Sequence, residues 1–291
     1  RSKESNTRAV KTLNASTDRV VKFIANLLLF VWIGFTLFMF GWVVVSSFKS
    51  TREIYAGVWA WPSVFRLDNY TRVLNDFGLS RFLLNSLVAV LAGTLLTVAM
   101  SAPIAYALGR LKFRGSSFMT TSFILGIGIP VQTIFIPLYL MMSKVRMTDS
   151  MTGLIWLYAV TSLPFTVYLL MGFFRTIPST LEDAAQIDGA TAWQTFVKIM
   201  LPMARPGILS AGIYIFVMLW KEFELALVFI SEESKQTISL GLYSLVTKLT
   251  YTGDWGGLFA GVVLVIVPSV VFYICLARHF TSGLTAGIGK D

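Results

Sequence analysis

The stretch RTIPSTLEDAAQIDGATAWQTFVKIMLPMARPG, residues 175–207, lies between two long apolar runs and has the pattern of two short helices. Ser179 or Thr180 is suited to cap the first helix, because a hydroxyl oxygen there can accept a bond from a free backbone N–H. Glu182 and Asp183 each follow one of these caps by three residues, which predicts a capping box with either choice. The sequence therefore predicts that a new helix begins here.

This first helix is expected to end at Gly189, since glycine readily adopts the left-handed conformation that closes a helix. Its apolar face is predicted to consist of Leu181, Ala184, Ala185 and Ile187. A second helix is expected from about Thr191 until Pro202 and Pro206 end it. The pattern alone fits equally a docking segment and an amphipathic hairpin that covers one mouth of a bundle.

On both sides of this stretch the chain is dominated by apolar residues. Of its 291 residues, 55% are hydrophobic and 13% are charged, and the mean hydropathy is +0.71. Soluble domains carry about 25% charged residues, so this composition indicates a membrane protein. Runs long enough to span a bilayer occupy residues 23–48, 82–108, 118–142, 154–174, 207–230 and 255–277. The predicted fold class is an all-α membrane protein with about six transmembrane helices.

The composition also excludes several chemistries. A single cysteine, Cys275, excludes an intrachain disulfide framework and a thiolate metal cluster. A single histidine, His279, argues against a histidine zinc site and a catalytic triad. The net charge of +9 does not form a basic stripe interleaved with aromatic residues, so it does not indicate nucleic-acid binding.

The orientation is predicted from the basic residues between the runs. The short loop after the second run holds Arg110, Lys112 and Arg114 and no acidic side chain, which marks it as cytoplasmic. Both termini are then expected inside. Prolines fall within four of the six runs and predict broken helices and a moving bundle, although ordinary kinked packing explains any single proline as well. These are Pro103, Pro130 with Pro137, Pro164 and Pro268.

Residues 183–202 resemble a known motif. Asp183-Ala184-Ala185, then Gly189 after three residues, Ile199 after nine more, and Leu201-Pro202 after one more, is similar to the EAA loop of ABC importer permeases, E-A-A-x3-G-x9-I-x-L-P. Asp183 stands where glutamate is usual, and Glu182 directly precedes it. The ending HFTSGLTAGIGKD (279–291) and FRLDNYTRVL (65–74) resemble the shorter permease of maltose-type carbohydrate importers.

The resemblance implies a type I ABC importer permease fold in a bacterial inner membrane. In that family the loop docks into a cleft of a cytoplasmic ATPase subunit, which makes residues 175–206 a coupling loop. The implied ATPase-coupling residues are Glu182, Asp183, Ala184, Ala185, Gly189, Ile199, Leu201 and Pro202. The expected organisation is a cytoplasmic segment (1–22), a first transmembrane helix (23–48), an extracytoplasmic segment (49–81), a permease core (82–280) and a cytoplasmic tail (281–291).

Three charged residues interrupt the fifth apolar run. Charges facing lipid are costly, so Lys221, Glu222 and Glu224 are expected to face a cavity or to pair. Lys221 and Glu224, spaced i,i+3, can pair on one helix face, which would fit a neutralised pair packed against a partner. The alternative is a transport cavity lined by Trp220, Lys221, Glu222 and Glu224. The family often has W-N-E-F here, and lysine in place of asparagine points to an anionic, uronate-type sugar.

The loop 231–254 and the residue after it are the remaining candidates. In the resembled family this loop projects toward the solute-binding protein. Tyr251, Thr252, Gly253, Asp254 and Trp255 would suit a mobile polar tip that touches the binding protein, and a plain loop is the alternative.

The sequence therefore predicts a non-catalytic permease subunit of an ATP-driven oligosaccharide importer that works by alternating access. The expected partners are a second homologous permease, two ATPase subunits, an extracytoplasmic solute-binding protein, the carbohydrate and membrane lipid. No cofactor is expected in this chain, which lacks the G-x-x-x-x-G-K-[ST] phosphate loop, so ATP and Mg²⁺ belong to the ATPases. The alternative is an ion-coupled secondary transporter that uses the Lys/Glu cluster, but no internal repeat supports it.

Overall fold

The computed structural model describes the backbone of residues 2–287 and the side chains of residues 21–272, 274 and 275, and over this part the chain is helical without strands. The helices are α1 (Ser2–Ser47), α2 (Thr51–Ala56), α3 (Asp68–Asn75), α4 (Leu79–Arg110), α5 (Ser116–Ile127), α6 (Phe135–Lys144), α7 (Met151–Thr176), α8 (Thr180–Ile187), α9 (Ala192–Thr195), α10 (Leu201–Met203), α11 (Arg205–Trp220), α12 (Glu224–Phe229), α13 (Ile238–Thr252) and α14 (Trp255–Gly287). A π-helical turn, Phe196–Met200, joins α9 to α10, and 3-10 turns, Val131–Ile134 and Glu233–Lys235, precede α6 and α13.

The membrane-crossing candidates agree in number with the predicted runs. Within the described part of the chain, four helices are long and apolar enough to cross a membrane, namely residues 21–47 of α1, all of α4, all of α7 and residues 255–272 of α14. Two bent pairs raise the possible number to six: α5 with residues 131–144, bent by 100°, and residues 192–203 with α11, bent by 73°. The predicted all-α membrane fold is confirmed.

Most of the helix breaks predicted at proline are wrong. Pro103, Pro164 and Pro268 lie inside the uninterrupted helices α4, α7 and α14. Proline in a membrane helix is tolerated where neighbouring helices and hydroxyl groups satisfy the backbone groups that it frees. Pro130, in contrast, coincides with a break between the end of α5 and the 3-10 turn that begins at Val131.

The bundle is built around the packing of α4 against α7. Small residues on α4 bring the two backbones close, since an added Cβ on Gly93 would lie 3.1 Å from the Cβ atom of Tyr158. Ala89 and Ala105 are fully buried in the same seam. One apolar cluster fills the seam toward the coupling loop, and another fills it toward the other end of the bundle.

At the end opposite the coupling loop, the structure differs from the predicted loops. Residues 238–252, expected within a loop, form α13, and α2 and α3 lie within the predicted extracytoplasmic segment 49–81. Helix α1 already begins at Ser2, so the predicted segment 1–22 continues into the first apolar run as one helix. The side chains of the predicted tail motif 279–291 lie outside the described residues, as does the backbone beyond Gly287.

Candidate functional site

The coupling loop forms the helix–turn–helix that its sequence predicts. Helix α8 is followed by Gly189 with φ +76°, a left-handed conformation that most side chains avoid. Thr191 then caps α9 with a capping box, in which its hydroxyl accepts from the Gln194 backbone N–H at 3.3 Å and its own N–H donates to Gln194 Oε1 at 2.8 Å. Each of the two short helices therefore has a defined end at the turn.

The capping box predicted at the start of α8 is wrong. Ser179 is the residue before α8, and its side chain accepts no backbone bond. The Glu182 carboxylate is instead engaged by Arg110 at the end of α4, whose Nε donates to Glu182 Oε2 at 2.8 Å and whose Nη2 contacts the same oxygen. The two side chains are 11% and 16% exposed. Shielding from water strengthens their attraction, so the guanidinium group takes the carboxylate away from the backbone.

A second contact joins α4 to the other half of the coupling loop. The ring of Tyr106, one turn before Arg110, stacks on Phe196 at 5.2 Å between ring centroids. Phe174, near the end of α7, meets the Tyr106 ring edge-on at 5.7 Å. All three rings are buried in the apolar cluster at this end. The ends of α4 and α7 thus contact the loop through both an ion pair and an aromatic cluster.

The apolar face predicted for α8 is divided between two sides of the helix. Leu181 and Ala185, four residues apart, pack inward, whereas Ala184 and Ile187, three residues apart, are exposed. Residues at these spacings share a helix face, so α8 presents two apolar stripes and not one. Ile187 is 87% exposed.

The other residues predicted to contact the ATPase follow the same division. Asp183 and Pro202 are exposed, and Trp193 at the start of α9 is 66% exposed. Ile199 and Leu201 are half-buried against the apolar cluster. The loop therefore has an inner side attached to the bundle and an outer side with an acid and exposed apolar groups.

The fifth apolar run breaks at its charged residues. Helix α11 ends at Trp220 and α12 begins at Glu224, so the predicted ion pair between Lys221 and Glu224 is wrong: the two residues do not share a helix. Glu224 accepts a hydrogen bond from Gln132 Nε2 at 2.6 Å. Lys221 is exposed, and among the described residues no carboxylate lies within 4.0 Å of its ammonium group.

Glu222 holds this break together. Its carboxylate accepts from the Tyr158 hydroxyl of α7 at 3.0 Å and from the backbone N–H groups of Leu225 and Ala226. The first N–H groups of a helix have no partner within it, so Glu222 supplies one for α12. The carboxylate also joins α12 to α7.

A cavity of about 740 Å³ lies beside the break. Its lining includes Lys221, Glu222 and Glu224, the hydroxyl groups of Thr161 and Ser162, and the rings of Phe165 and Tyr214. The two rings lie 4.8 Å apart. Mostly apolar walls with a few polar groups, in a cavity of this size, are typical of a small-molecule site.

Trp220 does not belong to this lining, so that part of the prediction is wrong. Its side chain is 5% exposed, its Nε1 donates to Ser269 Oγ at 2.9 Å, and its ring packs edge-on against Phe272 at 4.8 Å. As the last residue of α11, Trp220 packs against α14, whereas the cavity lies beside the charged residues that follow it.

The tip formed by residues 251–255 is held in place and is neither a free loop nor uniformly polar. Gly253 closes α13 with φ +69°, and Asp254 pairs with Arg72 of α3 at 3.0 Å. Trp255 Nε1 donates to the Tyr55 hydroxyl at 2.6 Å. Thr252 is exposed, and Tyr251, at 90%, is among the most exposed large side chains.

Sequence reasoning missed the groups that hold these sites. The sequence indicates Arg110 only as a basic residue of a cytoplasmic loop, and it gives no role to Gln132 or Tyr158. Glu182 lies 72 residues from Arg110, and Glu222 lies 64 from Tyr158, so no local spacing links them. Gln132 carries a signal in the sequence, because a polar side chain inside an apolar run is expected to have a polar partner.

Known proteins resemble the chain over most of its length. The family described as "Binding-protein-dependent transport system inner membrane component" matches residues 101–285. The diacetylchitobiose uptake system permease protein NgcG of Streptomyces coelicolor is 33% identical over 273 residues, which cover 94% of this chain and 90% of that protein. The sulfoquinovosyl glycerol transport system permease protein SmoH of Agrobacterium fabrum is 34% identical over 247 residues, 84% of this chain and 86% of that protein.

Solved structures agree with this result. The crystal structure of a bacterial ABC transporter involved in the import of the acidic polysaccharide alginate contains a chain that matches with a TM-score of 0.80 and 21% identity, over 91% of this chain and 98% of that one. The predicted resemblance to carbohydrate importer permeases and the type I permease fold are confirmed, and the ion-coupled secondary transporter is not favoured. The chain belongs to the family of binding-protein-dependent transport system inner membrane components.

Proposed function

We propose that this membrane-embedded chain is the non-catalytic permease subunit of an ATP-binding-cassette importer that moves an oligosaccharide inward. Its relatives are named for the uptake of diacetylchitobiose and sulfoquinovosyl glycerol, which supports a sugar-containing solute. The observation that carries the proposal is the two-sided coupling loop. Its inner side is attached to α4 and α7, and its outer side is left exposed for a partner.

The partners follow from this assignment. Two ATPase subunits supply ATP, Mg²⁺ and the hydrolysis, a second homologous permease completes the pathway, and an extracytoplasmic solute-binding protein delivers the sugar. A solved structure that resembles this chain is of an alginate ABC transporter in complex with an alginate pentasaccharide-bound periplasmic protein, which supports the last partner. The chain would lie in the bacterial inner membrane with both termini cytoplasmic and with the Tyr251 tip facing the binding protein.

The outer side of the coupling loop is where we place the ATPase. Exposed Asp183 can meet a basic group of the partner, and exposed Ala184 allows a close approach. Ile187 and Trp193 add apolar area that would be buried in the complex. Glu182 is not available for this contact, because Arg110 already holds it.

Movement of the loop would reach the bundle through α4. The Arg110–Glu182 ion pair links α4 to α8, and the Tyr106–Phe196 stack links it to the turn after α9. Since α4 packs along α7, a displacement of the loop by the ATPases would tilt both helices together. The break at residues 221–223 lies beside the cavity. A change in the packing of α4 against α7 would open the cavity to the other side of the membrane.

The cavity at the break is the proposed solute pathway. Hydroxyl-bearing and aromatic side chains suit a sugar, which offers both hydroxyl groups and apolar ring faces. Lys221 is exposed there, whereas Glu222 and Glu224 already accept hydrogen bonds within the chain. An anionic sugar of the uronate type would supply the carboxylate that faces Lys221.

Uptake by proteoliposomes that contain the complete importer tests the proposal. With binding protein outside and ATP inside, radiolabelled oligosaccharide should accumulate, and omission of ATP or of the ATPases should abolish uptake. Uptake driven by a membrane potential in the absence of the ATPases would refute the function. A Lys221→Asn variant separates the substrate class: it should lower uptake of a uronate oligosaccharide and leave that of a neutral one unchanged.

A further inference from the structure

Residues 57–65, GVWAWPSVF, form an uncharged loop between α2 and α3, here called the aromatic loop. Its large apolar side chains are exposed, and Trp61 reaches 77%. A soluble surface rarely exposes so many neighbouring apolar groups unless something covers them. The exposed members are Val58, Trp59, Trp61, Val64 and Phe65.

The aromatic loop is fixed in place by specific contacts. The Val58 carbonyl oxygen accepts from Trp42 Nε1 and from Lys49 Nζ, both at 3.0 Å. The Ser63 backbone N–H donates to Glu53 Oε1 at 3.0 Å. Hydrogen bonds from Ser63 and Ser50 lower the pKa of Glu53 to about 2, so this carboxylate remains an ionised acceptor at neutral pH. The exposed rings are therefore held in a defined position.

The depth of the aromatic loop follows from the rings that it contacts on α1. Trp59 stacks on Phe38 at 5.6 Å and contacts Trp42 at 5.5 Å. Phe38 lies nine residues before the end of α1 at Ser47, which is about 14 Å along the axis. The chain thus leaves α1, returns alongside it by roughly two turns, and reaches the level of Ser47 again at Phe65, which packs on Phe48 at 5.5 Å.

The aromatic loop spans the boundary between hydrocarbon and headgroups, with Trp59 at the level of Phe38 and Trp42 and Phe65 at the level of Phe48. The apolar part of α1, residues 21–47, is about 40 Å long, whereas a hydrocarbon core is about 30 Å thick. The stretch exceeds the core by about 10 Å and has polar residues at both ends, Lys22 and Ser47, so the last turn of α1 reaches the headgroup layer. None of the most hydrophobic stretch of this helix is buried inside the chain, so the surface of the aromatic loop is continuous with a membrane-facing surface.

We propose that the aromatic loop inserts into the lipid interface at the carboxyl end of α1 and anchors this corner of the bundle to the bilayer. Tryptophan favours this layer, because its ring is apolar and its N–H is polar. Charged residues flank the loop on both sides, with Arg52 and Glu53 before it and Arg66 and Asp68 after it. They keep the ends of the segment at the aqueous surface while its middle enters the lipid.

Spin labelling of the complete importer in phosphatidylcholine–phosphatidylglycerol vesicles tests this proposal. A nitroxide is attached at Trp61→Cys in a Cys275→Ser background, and its collision rates with oxygen and with a water-soluble nickel chelate are measured. The matched control is Tyr251→Cys, which labels another exposed aromatic position at the same end. Val64→Cys provides a second site in the same loop.

Insertion predicts that the ratio of oxygen to nickel collisions is several-fold higher at positions 61 and 64 than at 251. Equal ratios at all three positions would place the loop in water and overturn the proposal. Low collision rates with both reagents at positions 61 and 64 would show that protein, such as the partner permease, covers the loop, and would also overturn it.

Discussion

The coupling loop and the break in the fifth apolar run each contain two adjacent charged residues that have different roles. In the loop, Glu182 is bound by Arg110 while Asp183 is exposed. At the break, Glu222 is bound by Tyr158 and by backbone N–H groups while Lys221 is exposed. The partner of Glu182 is a cation on another helix, whereas Glu222 is held by neutral donors. An exchange of charges can therefore preserve the first contact but not the second.

The largest effect is expected at the break. Glu222→Ala removes the acceptor of the Tyr158 hydroxyl and of two backbone N–H groups, so it should lower the free energy of unfolding by about 3–4 kcal/mol. Thermal unfolding of the purified complex in detergent measures it. Glu224→Ala is the control, since Glu224 is exposed and accepts one bond. Equal losses in both variants would remove the distinction between the two carboxylates.

In the coupling loop, charge reversal should have a smaller but reversible effect. Arg110→Glu or Glu182→Arg alone places like charges together in a largely shielded site and should cost roughly 2–3 kcal/mol and reduce ATP-driven uptake. The double variant restores opposite charges and should recover most of both losses. A double variant as impaired as the single ones would mean that the pair does not connect α4 to the loop.

Gly189 tests the turn between the two helices of the loop. Gly189→Val places a β-branched side chain at φ +76°, which costs about 1–3 kcal/mol in local strain and should shift the angle of α8. We expect uptake to fall relative to ATP hydrolysis while the bundle stays folded. Gly189→Asn is the control, because asparagine tolerates this conformation. Unchanged coupling in the valine variant would exclude a role for the turn.

The smallest effect is expected at Asp149, between α6 and α7. Its Oδ1 accepts from the N–H groups of Glu232 and Ser231, both at 3.0 Å. The pKa of Asp149 lies below its usual value, chiefly because of the hydrogen bond from the Glu232 N–H. A lowered pKa means that the stabilisation is present above the ordinary pKa and is lost as the pH falls through the lowered one. Asp149→Asn should therefore cost less than about 1 kcal/mol at neutral pH.

Unfolding of the wild type and of the Asp149→Asn variant over a pH series tests the direction of this pH dependence. The difference between the wild type and Asp149→Asn should stay constant from about pH 8 to pH 5 and shrink below about pH 4. A difference that grows as the pH falls would contradict the assignment. Asparagine is the suitable replacement, because Asp149 has φ +49° and asparagine also tolerates positive φ.

How much the sequence could predict differs between the two regions. The turn at Gly189 and the two short helices depend on neighbouring residues, so local patterns predicted them. The Arg110–Glu182 pair joins residues 72 apart, and no single sequence reveals such a contact. The Arg110–Glu182 pair also explains why the predicted capping box does not form at the start of α8. The Glu182 carboxylate binds Arg110 and not the backbone of the cap residue.

At the break, the sequence wrongly predicts one continuous helix. Residues 207–230 are apolar enough to suggest one helix, and the pairing of Lys221 with Glu224 assumed helical spacing throughout. The backbone leaves the helix after Trp220 because Glu222 can cap α12 and bind α7 at once. The position of Trp220 beside the charged residues predicts that it lines the cavity, but its ring packs against Phe272 of α14.

In the proposed mechanism, the ATPase moves this bundle through the exposed side of the coupling loop. A photoreactive amino acid at position 187, which is 87% exposed, tests it directly in a complex that transports sugar, with the same group at position 251 as the control. We expect position 187 to capture the ATPase subunit with a yield that changes with ATP, and position 251 to capture no ATPase. Failure of position 187 to capture the ATPase while ATP-driven uptake continues would contradict it.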